Sequence, residues 1–158
     1  MAYTSKRFAR GTPNSKVARF TTGKARPDYD FMVKLVSEGR VQVRHNALEA
    51  SRVAANKKLA LVGEENYQLV VRSYPHIILR ENKMIATAGA DRLQEGMRKA
   101  FGKPIGLAAR VGIGDTILEL RIMSANLEKA KEAMKAGSTK LPMKTHAVVT
   151  PLEKPIPA

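Results

Sequence analysis

Residues 80–110 read RENKMIATAGADRLQEGMRKAFGKPIGLAAR and separate two segments of strand character, 76–80 and 110–113. Any sheet built from those strands must accommodate a long excursion between them. After Arg80 the stretch carries Lys83, Arg92, Arg98, Lys99, Lys103 and Arg110, with four glycines, one proline and little bulky apolar content. It is too long for a hairpin turn and too basic for a buried crossover. Connections above roughly 12–15 residues in a compact domain are usually functional or disordered. The stretch therefore predicts a finger that reaches toward something polyanionic.

The 158 residues suffice for one domain with tails. A chain of this size buries about 68–70% of its unfolded surface and needs no covalent staples. There is no cysteine, which excludes disulfides and thiolate metal sites and fits a reducing compartment. Net charge is +14, from 28 Lys and Arg against 14 Asp and Glu. Such a field concerns partners rather than fold, and it attracts nucleic acid or anionic lipid. The apolar runs fall far short of the roughly 20 residues a membrane helix takes. The opening MAYTSKRFARGTPNSK has no apolar run behind its basic residues, unlike a secretory signal. Gly11 and Pro13 count against the amphipathic helix of a mitochondrial presequence. The expected location is the cytoplasm.

Residues 1–27 form a basic arm with Lys6, Arg7, Arg10, Lys16, Arg19, Lys24 and Arg26, and no acid before Asp28. Tyr3, Phe8 and Phe20 lie among these charges, and Gly11, Pro13, Gly23 and Pro27 break any regular pattern. Alone, this arm cannot bury enough apolar surface to offset its ordering entropy, so ordering on a partner is expected. The folded domain is expected over 28–150, with an internal loop at 82–109. A Pro-rich tail follows at 151–158.

Within the domain, strands are expected at 31–36 and 41–44, with Gly39 between them suggesting a hairpin. A helix is expected over 46–61, with Asn46 as N-cap and Glu49 completing a capping box. Its predicted apolar face is Ala50, Val53, Ala54, Lys57 and Leu61, and Gly63 stops it. Strands at 67–72 and 76–80 flank Pro75, which implies an edge or a bend. Strands at 110–113 and 116–122 flank the turn signal Gly114-Asp115. A second helix is expected over 127–136, capped by Asn126 or Ser124, packed through Leu127, Ala130 and Met134, and ended by Gly137. A last strand is expected at 145–150. Short turns favour antiparallel pairing. The fold class is α+β: an antiparallel sheet with two helices on one face.

No motif supports catalysis. Gly96 to Pro104 resembles a phosphate-binding loop but has five residues between Gly96 and Gly102, and Pro104 replaces the magnesium-ligating hydroxyl. Gly112 and Gly114 lack the third glycine of a dinucleotide site, so a turn or bulge is the better reading. His45, His76 and His146 lack the i,i+4 pairing of a metal site. His45 precedes the expected helix cap, and His76 is expected as a partly buried strand residue. Asp91 and Glu95 lie at i,i+4, where an ion pair with Arg92 or a short helix cap is favoured over acid–base chemistry. No cofactor and no metal are expected. The cations are more clustered than solubility requires, and Arg44, Arg52, Lys57 and Lys58 extend the positive surface. Neutralising phosphates releases condensed counterions, and Arg both forks onto phosphates and stacks on bases. RNA or DNA is therefore favoured over membrane, since neither helix has a large apolar face. No helix-turn-helix, zinc finger or basic zipper is visible. No RNP-type aromatic strand is visible either. Irregular arms and loops suit a folded RNA better than a regular duplex.

Four motifs carry a resemblance. They are Gly89-Ala90-Asp91-Arg92-Leu93-Gln94-x-Gly96-Met97-Arg98 with Phe101-Gly102-x-Pro104-x-Gly106, then Arg10-Gly11-x-Pro13-x-x-Lys16, then Arg44-His45-Asn46-Ala47-Leu48-Glu49-Ala50, then Pro75-His76 through Arg80-Glu81-Asn82-Lys83-Met84. The chain resembles the large-subunit ribosomal protein family called "L ten e" in archaea and eukaryotes, the counterpart of bacterial "L sixteen", over residues 7–151. The resemblance implies an α/β-hammerhead fold and the function of a structural, non-enzymatic constituent of the large subunit. It also implies a place on 23S-type rRNA, near 5S and neighbouring ribosomal proteins, between the peptidyl-transferase centre and the groove for A-site and P-site tRNA. The implied rRNA ligands are the seven cations of the arm with Arg44, Arg52, Lys57, Lys58, Arg80 and Lys83. The loop residues Arg92, Arg98, Lys99, Lys103 and Arg110 would approach tRNA, with Arg80 anchoring the hinge. The absence of cysteine and the short tail fit an archaeal member. Two other readings of the residues stand beside this one: a free-standing RNA- or DNA-binding protein, and a phosphate-substrate enzyme using Asp91 and Glu95.

Overall fold

The computed structural model describes residues 2–84 and 95–152. The elements run β1 (Tyr3–Thr4), β2 (Thr21–Gly23), β3 (Phe31–Ser37), β4 (Val41–Arg44), α1 (His45–Leu59), β5 (Tyr67–Val71), β6 (Ile77–Glu81), β7 (Lys103–Val111), β8 (Thr116–Ile122), α2 (Leu127–Ser138) and β9 (Thr145–Pro151). The strands divide between two sheets, ordered β1-β6-β7-β4 and β2-β5-β8-β3-β9. Every pairing is antiparallel. The α+β class expected from the sequence is the class observed.

Strand alternation fixes which side of the five-stranded sheet is dry. Val33 and Leu35 of β3, Leu118, Leu120 and Ile122 of β8, and Tyr67, Leu69 and Val71 of β5 are buried at alternate positions. α1 and α2 pack against each other, and Leu48, Ala55, Leu59, Ala130, Ala133 and Met134 join those strands in one core. Burying a Leu side chain stabilises the fold by roughly 1.5–3 kcal/mol.

The hairpin expected around Gly39 does not form. β3 has β8 on one edge and β9 on the other, so β4 finds no free edge there and pairs with β7 in the other sheet. Gly39 therefore sits in a connection between sheets. The turn at Gly114, where φ is +85°, likewise passes the chain from β7 to β8 in the other sheet. Both edges of each of those strands are already taken.

The long connection is shorter than 82–109, because β7 begins at Lys103. Gly106, Ala108 and Ala109 are buried in it. Their small side chains hid a strand inside what composition presented as a loop. The arm is also built into the domain. β1 pairs with β6, β2 pairs with β5, and Val17 is buried in the core. Backbone ladders supply what side-chain burial alone does not, and strands this short leave no periodic signal.

α1 buries the face His45, Leu48, Ser51, Ala55 and Leu59. This is not the predicted face: Val53 is 50% exposed and Leu61 78%. The true face contains a histidine and a serine, so counting apolar residues selects the wrong stripe. Arg44 occupies the N-cap, and no side chain caps the helix. Gly63, with φ +93°, does follow its last turn. α2 continues through Gly137 to Ser138. His76 lies exposed just before β6 rather than within a strand.

Candidate nucleic-acid interface

The β6–β7 ladder forms a stem for the long connection. Arg80 is registered opposite Pro104 and Glu81 opposite Lys103, after a register shift between Leu79 and Arg80. Gly102, at φ +77°, lies so close to β6 that a Cβ there would meet the Glu81 carbonyl carbon at 2.4 Å. Only glycine fits that approach. The Arg80 guanidinium donates to the Phe101 carbonyl at 2.6 Å and covers the Phe101 ring, 4.2 Å from its centroid. Arg80 thus ties the two sides of the stem together.

Beyond the stem, Gly96–Lys99 forms a 3₁₀ turn, and the Asn82 amide donates to the Gly96 carbonyl at 3.3 Å. Lys83, Arg98, Lys99 and Lys103 are all exposed around it. Arg98, Lys99, Phe101 and Lys103 line one open groove with Asn82. Lys99 pairs with Glu95 at 2.6 Å, with both side chains largely exposed. Such a pair is worth at most about 1 kcal/mol, so a phosphate can displace it. Asp91 and Arg92 lie outside the described residues.

The start of the arm joins the same sheet. Arg80 N–H donates to the Ala2 carbonyl at 3.0 Å, and the Arg110 guanidinium sits 5.5 Å from the Tyr3 ring centroid. Lys6 and Arg7 follow in a 3₁₀ turn, with Arg7 over the Phe8 ring. Arg10 is exposed beyond it. Arg110 and Arg40 line a second open concavity with Gln42. Sequence reasoning missed Arg40, which stands alone between a glycine and a strand.

A separate cationic group surrounds β2. Arg19 and Lys24 line a concavity there, and Lys24 reaches Glu65 at 3.7 Å. Arg26 forks onto Asp28 at 3.0 and 2.8 Å. Arg44, Lys57 and Lys58 are exposed on or beside α1. Arg52 differs from these. Its side chain is mostly covered, bonds Glu49 through two nitrogens and donates to Thr22 at 3.1 Å. The hydrogen bonding it donates to the Glu49 carboxylate raises its already high pKa. It ties α1 to β2 and has little left to offer a phosphate.

Lys16 is exposed, but its backbone N–H donates to Nδ1 of buried His45 at 3.2 Å. Burial lowers the His45 pKa, and the charges of Arg44 and Lys16 lower it further. The ring is therefore neutral and protonated on Nε2. One polar node escaped the sequence reading. Glu119 is buried and paired with Arg72 at 3.3 Å and Arg121 at 3.1 Å. Its i,i+2 spacing to Arg121 was visible, but its cross-strand arginine was not.

Among the described residues, no group of three or more His, Asp or Glu side chains could hold a metal ion. No described helix is long and apolar enough to cross a membrane. The chemistry on offer is a set of guanidinium and ammonium groups displayed from a rigid α+β body. That defines a polyanion-binding protein. The sequence pattern of the family described as ribosomal protein L16p/L10e matches residues 1–148. The chain belongs to this family and is a structural component, not an enzyme. It is similar to the large ribosomal subunit protein uL16 of Hyperthermus butylicus, 51% identical over 153 residues, covering 96% of this chain and 85% of the relative. The protein of the same name from Staphylothermus marinus is 51% identical over 158 residues, covering 98% and 91%. That of Metallosphaera sedula is 51% identical over 156 residues, covering 97% and 89%. These relatives are archaeal.

Proposed function

We propose that this protein is a structural constituent of the large subunit of the cytoplasmic ribosome. It binds 23S-type rRNA near the peptidyl-transferase centre and helps to position A-site and P-site tRNA. The observation that carries this reading is the clamped stem. Arg80 and Gly102 fix the ends of a connection that exposes Lys83, Arg98 and Lys99, with Lys103 exposed at the start of β7. Among the described residues, the only ion pair these cations make is the weak one of Lys99 with Glu95. A stem of this kind holds a basic turn at a set distance from the body, which suits contact with RNA backbone in a crevice. The arm cations and those around α1 supply sequence-independent phosphate contacts on the body. Arg52 is excluded from that role by its internal bonds.

The chain has no cysteine, so a single Met97→Cys variant can carry a tethered hydroxyl-radical source. Met97 is 91% exposed. In reconstituted large subunits with bound tRNA, cleavage is expected in rRNA around the peptidyl-transferase centre and in the tRNA acceptor end. Cleavage confined to rRNA remote from that centre would overturn the placement. Failure of the protein to enter the subunit would overturn the function.

A further inference from the structure

Tyr74 sits on the link at 72–76 between β5 and β6, where the chain passes from one sheet to the other. This link is held firmly. Arg72 N–H donates to the Ile117 carbonyl at 2.8 Å, and the Ser73 hydroxyl donates to the Thr116 carbonyl at 3.4 Å. The Tyr74 carbonyl contacts His76 Nδ1 at 3.1 Å, and Pro75 is buried. Despite that anchoring, Tyr74 is 61% exposed. One of its faces is backed by Phe20, with centroids 5.4 Å apart and planes inclined by 23°. Phe20 is fixed in turn: it packs on the core, and its carbonyl accepts from Val71 N–H at 2.7 Å. The arrangement is a rigid aromatic pair with its outer face open to solvent.

We propose that Tyr74 is a stacking platform for an unpaired base of RNA. The inference rests on the rRNA-binding reading above and adds to it a site outside the loop and arm cations. Bases splayed from single-stranded RNA stack on aromatic side chains. Two arginines flank the pair in sequence. Arg19 precedes Phe20 and is exposed, and Arg72 keeps 58% of its side chain exposed while it pairs with Glu119. Guanidinium groups beside a stacking ring supply the phosphate contacts that a flipped nucleotide requires. An apolar protein partner would instead need a broad apolar patch, and one exposed ring stacked on a half-buried phenylalanine is not one.

The test uses the full chain and large-subunit rRNA at fixed salt. Tyr74→Ala is expected to weaken binding about 5- to 150-fold, the range that corresponds to loss of one base stack. Tyr74→Phe is expected to bind as wild type, because the ring and not the hydroxyl does the stacking. The salt dependence of the Ala variant should match wild type, since no charge is removed. The chain has no tryptophan, so Tyr74→Trp adds a single fluorophore that rRNA should quench on binding. Wild-type affinity in a folded Tyr74→Ala variant, loss of binding in Tyr74→Phe, or unquenched indole fluorescence from the bound Tyr74→Trp variant would each overturn the proposal. Absence of rRNA binding by the wild-type chain would instead sink the functional reading, and this inference with it.

Discussion

The Arg80 guanidinium lies 4.2 Å from the centroid of the Phe101 ring and donates to the Phe101 carbonyl at 2.6 Å. One side chain thus joins the end of β6 to the residues just before β7, across the whole intervening connection. Its Nε is buried without a hydrogen-bond partner among the described residues. A clamp of this form controls local order at the stem more than global stability.

Arg80→Ala should therefore loosen the stem. Phe101 is 47% exposed, and a cation–π contact at such a site is worth roughly 0.5–1 kcal/mol. That corresponds to amide exchange at residues 96–103 faster by roughly two- to fivefold, with little change elsewhere. Arg80→Lys keeps the charge but loses the planar group that covers the ring and should fall between the two. Hydrogen exchange resolved by residue makes the measurement. Uniform protection in all three proteins would show that the clamp does not order the stem.

The combined variant Arg98→Ala, Lys99→Ala, Lys103→Ala removes three exposed cations and touches no core contact. Thermal unfolding should stay within a few degrees of wild type. Its rRNA affinity should fall, and the slope of log K against log salt should shrink by about 2–3. Subunits carrying the variant should translate poorly. An unchanged salt slope together with normal translation would remove the basic turn from the interface.

Local signals in the sequence were reliable where they concerned single elements. The strand at 31–36, the two helices and the turn glycines Gly63 and Gly114 are where local chemistry places them. Sheet membership was not legible, because it depends on which edges are free. β3 and β4 are neighbours in sequence, yet β3 is saturated by β8 and β9 from the far end of the chain. The cations were legible as a set, but their separate roles were not. Arg52 and Arg98 look alike in sequence. One is bound to Glu49 and Thr22 inside the fold, and the other is exposed on the turn at Gly96–Lys99. Arg80 stood out in sequence only as the residue at the base of a long loop, and the Phe101 ring it covers became visible only in three dimensions.

His45 sets a pH dependence. Its Nδ1 accepts the Lys16 N–H and its folded pKa is lowered by burial, then by Arg44 and Lys16. The unfolded chain thus binds the proton more readily, with a pKa near the ordinary value of about 6.5. Between that value and the lower folded pKa, stability falls as pH falls. It is fully present above about pH 6.5, and the loss levels off once the folded ring is also protonated. The slope contributed by one group cannot exceed about 1.4 kcal/mol per pH unit. Urea unfolding between pH 5 and 8 should show this fall for wild type. It should be reduced in His45→Asn, whose carbonyl can accept the same N–H but cannot titrate. Parallel profiles would assign the effect to other groups.

The contact between α1 and α2 gives the last prediction. The Ser51 hydroxyl donates to the Gly137 carbonyl at 2.9 Å, and a Cβ on Gly137 would lie 3.2 Å from Ser51 Oγ and 3.3 Å from Leu118 Cδ1. Gly137 is the last residue but one of α2 and has no positive φ, so alanine there gains at most about 1 kcal/mol of helix propensity. That gain should roughly cancel the crowding, because the neighbours need move only a few tenths of an ångström. Gly137→Ala is therefore expected within about 1 kcal/mol of wild type. Gly137→Val adds two further methyl groups against Ser51 and Leu118 and should destabilise by about 1–3 kcal/mol, a drop of several degrees in Tm for a chain of this length. Equal melting of the Val variant and wild type would mean that the helices can separate at no cost, and the close approach at Gly137 would then play no part in holding the core.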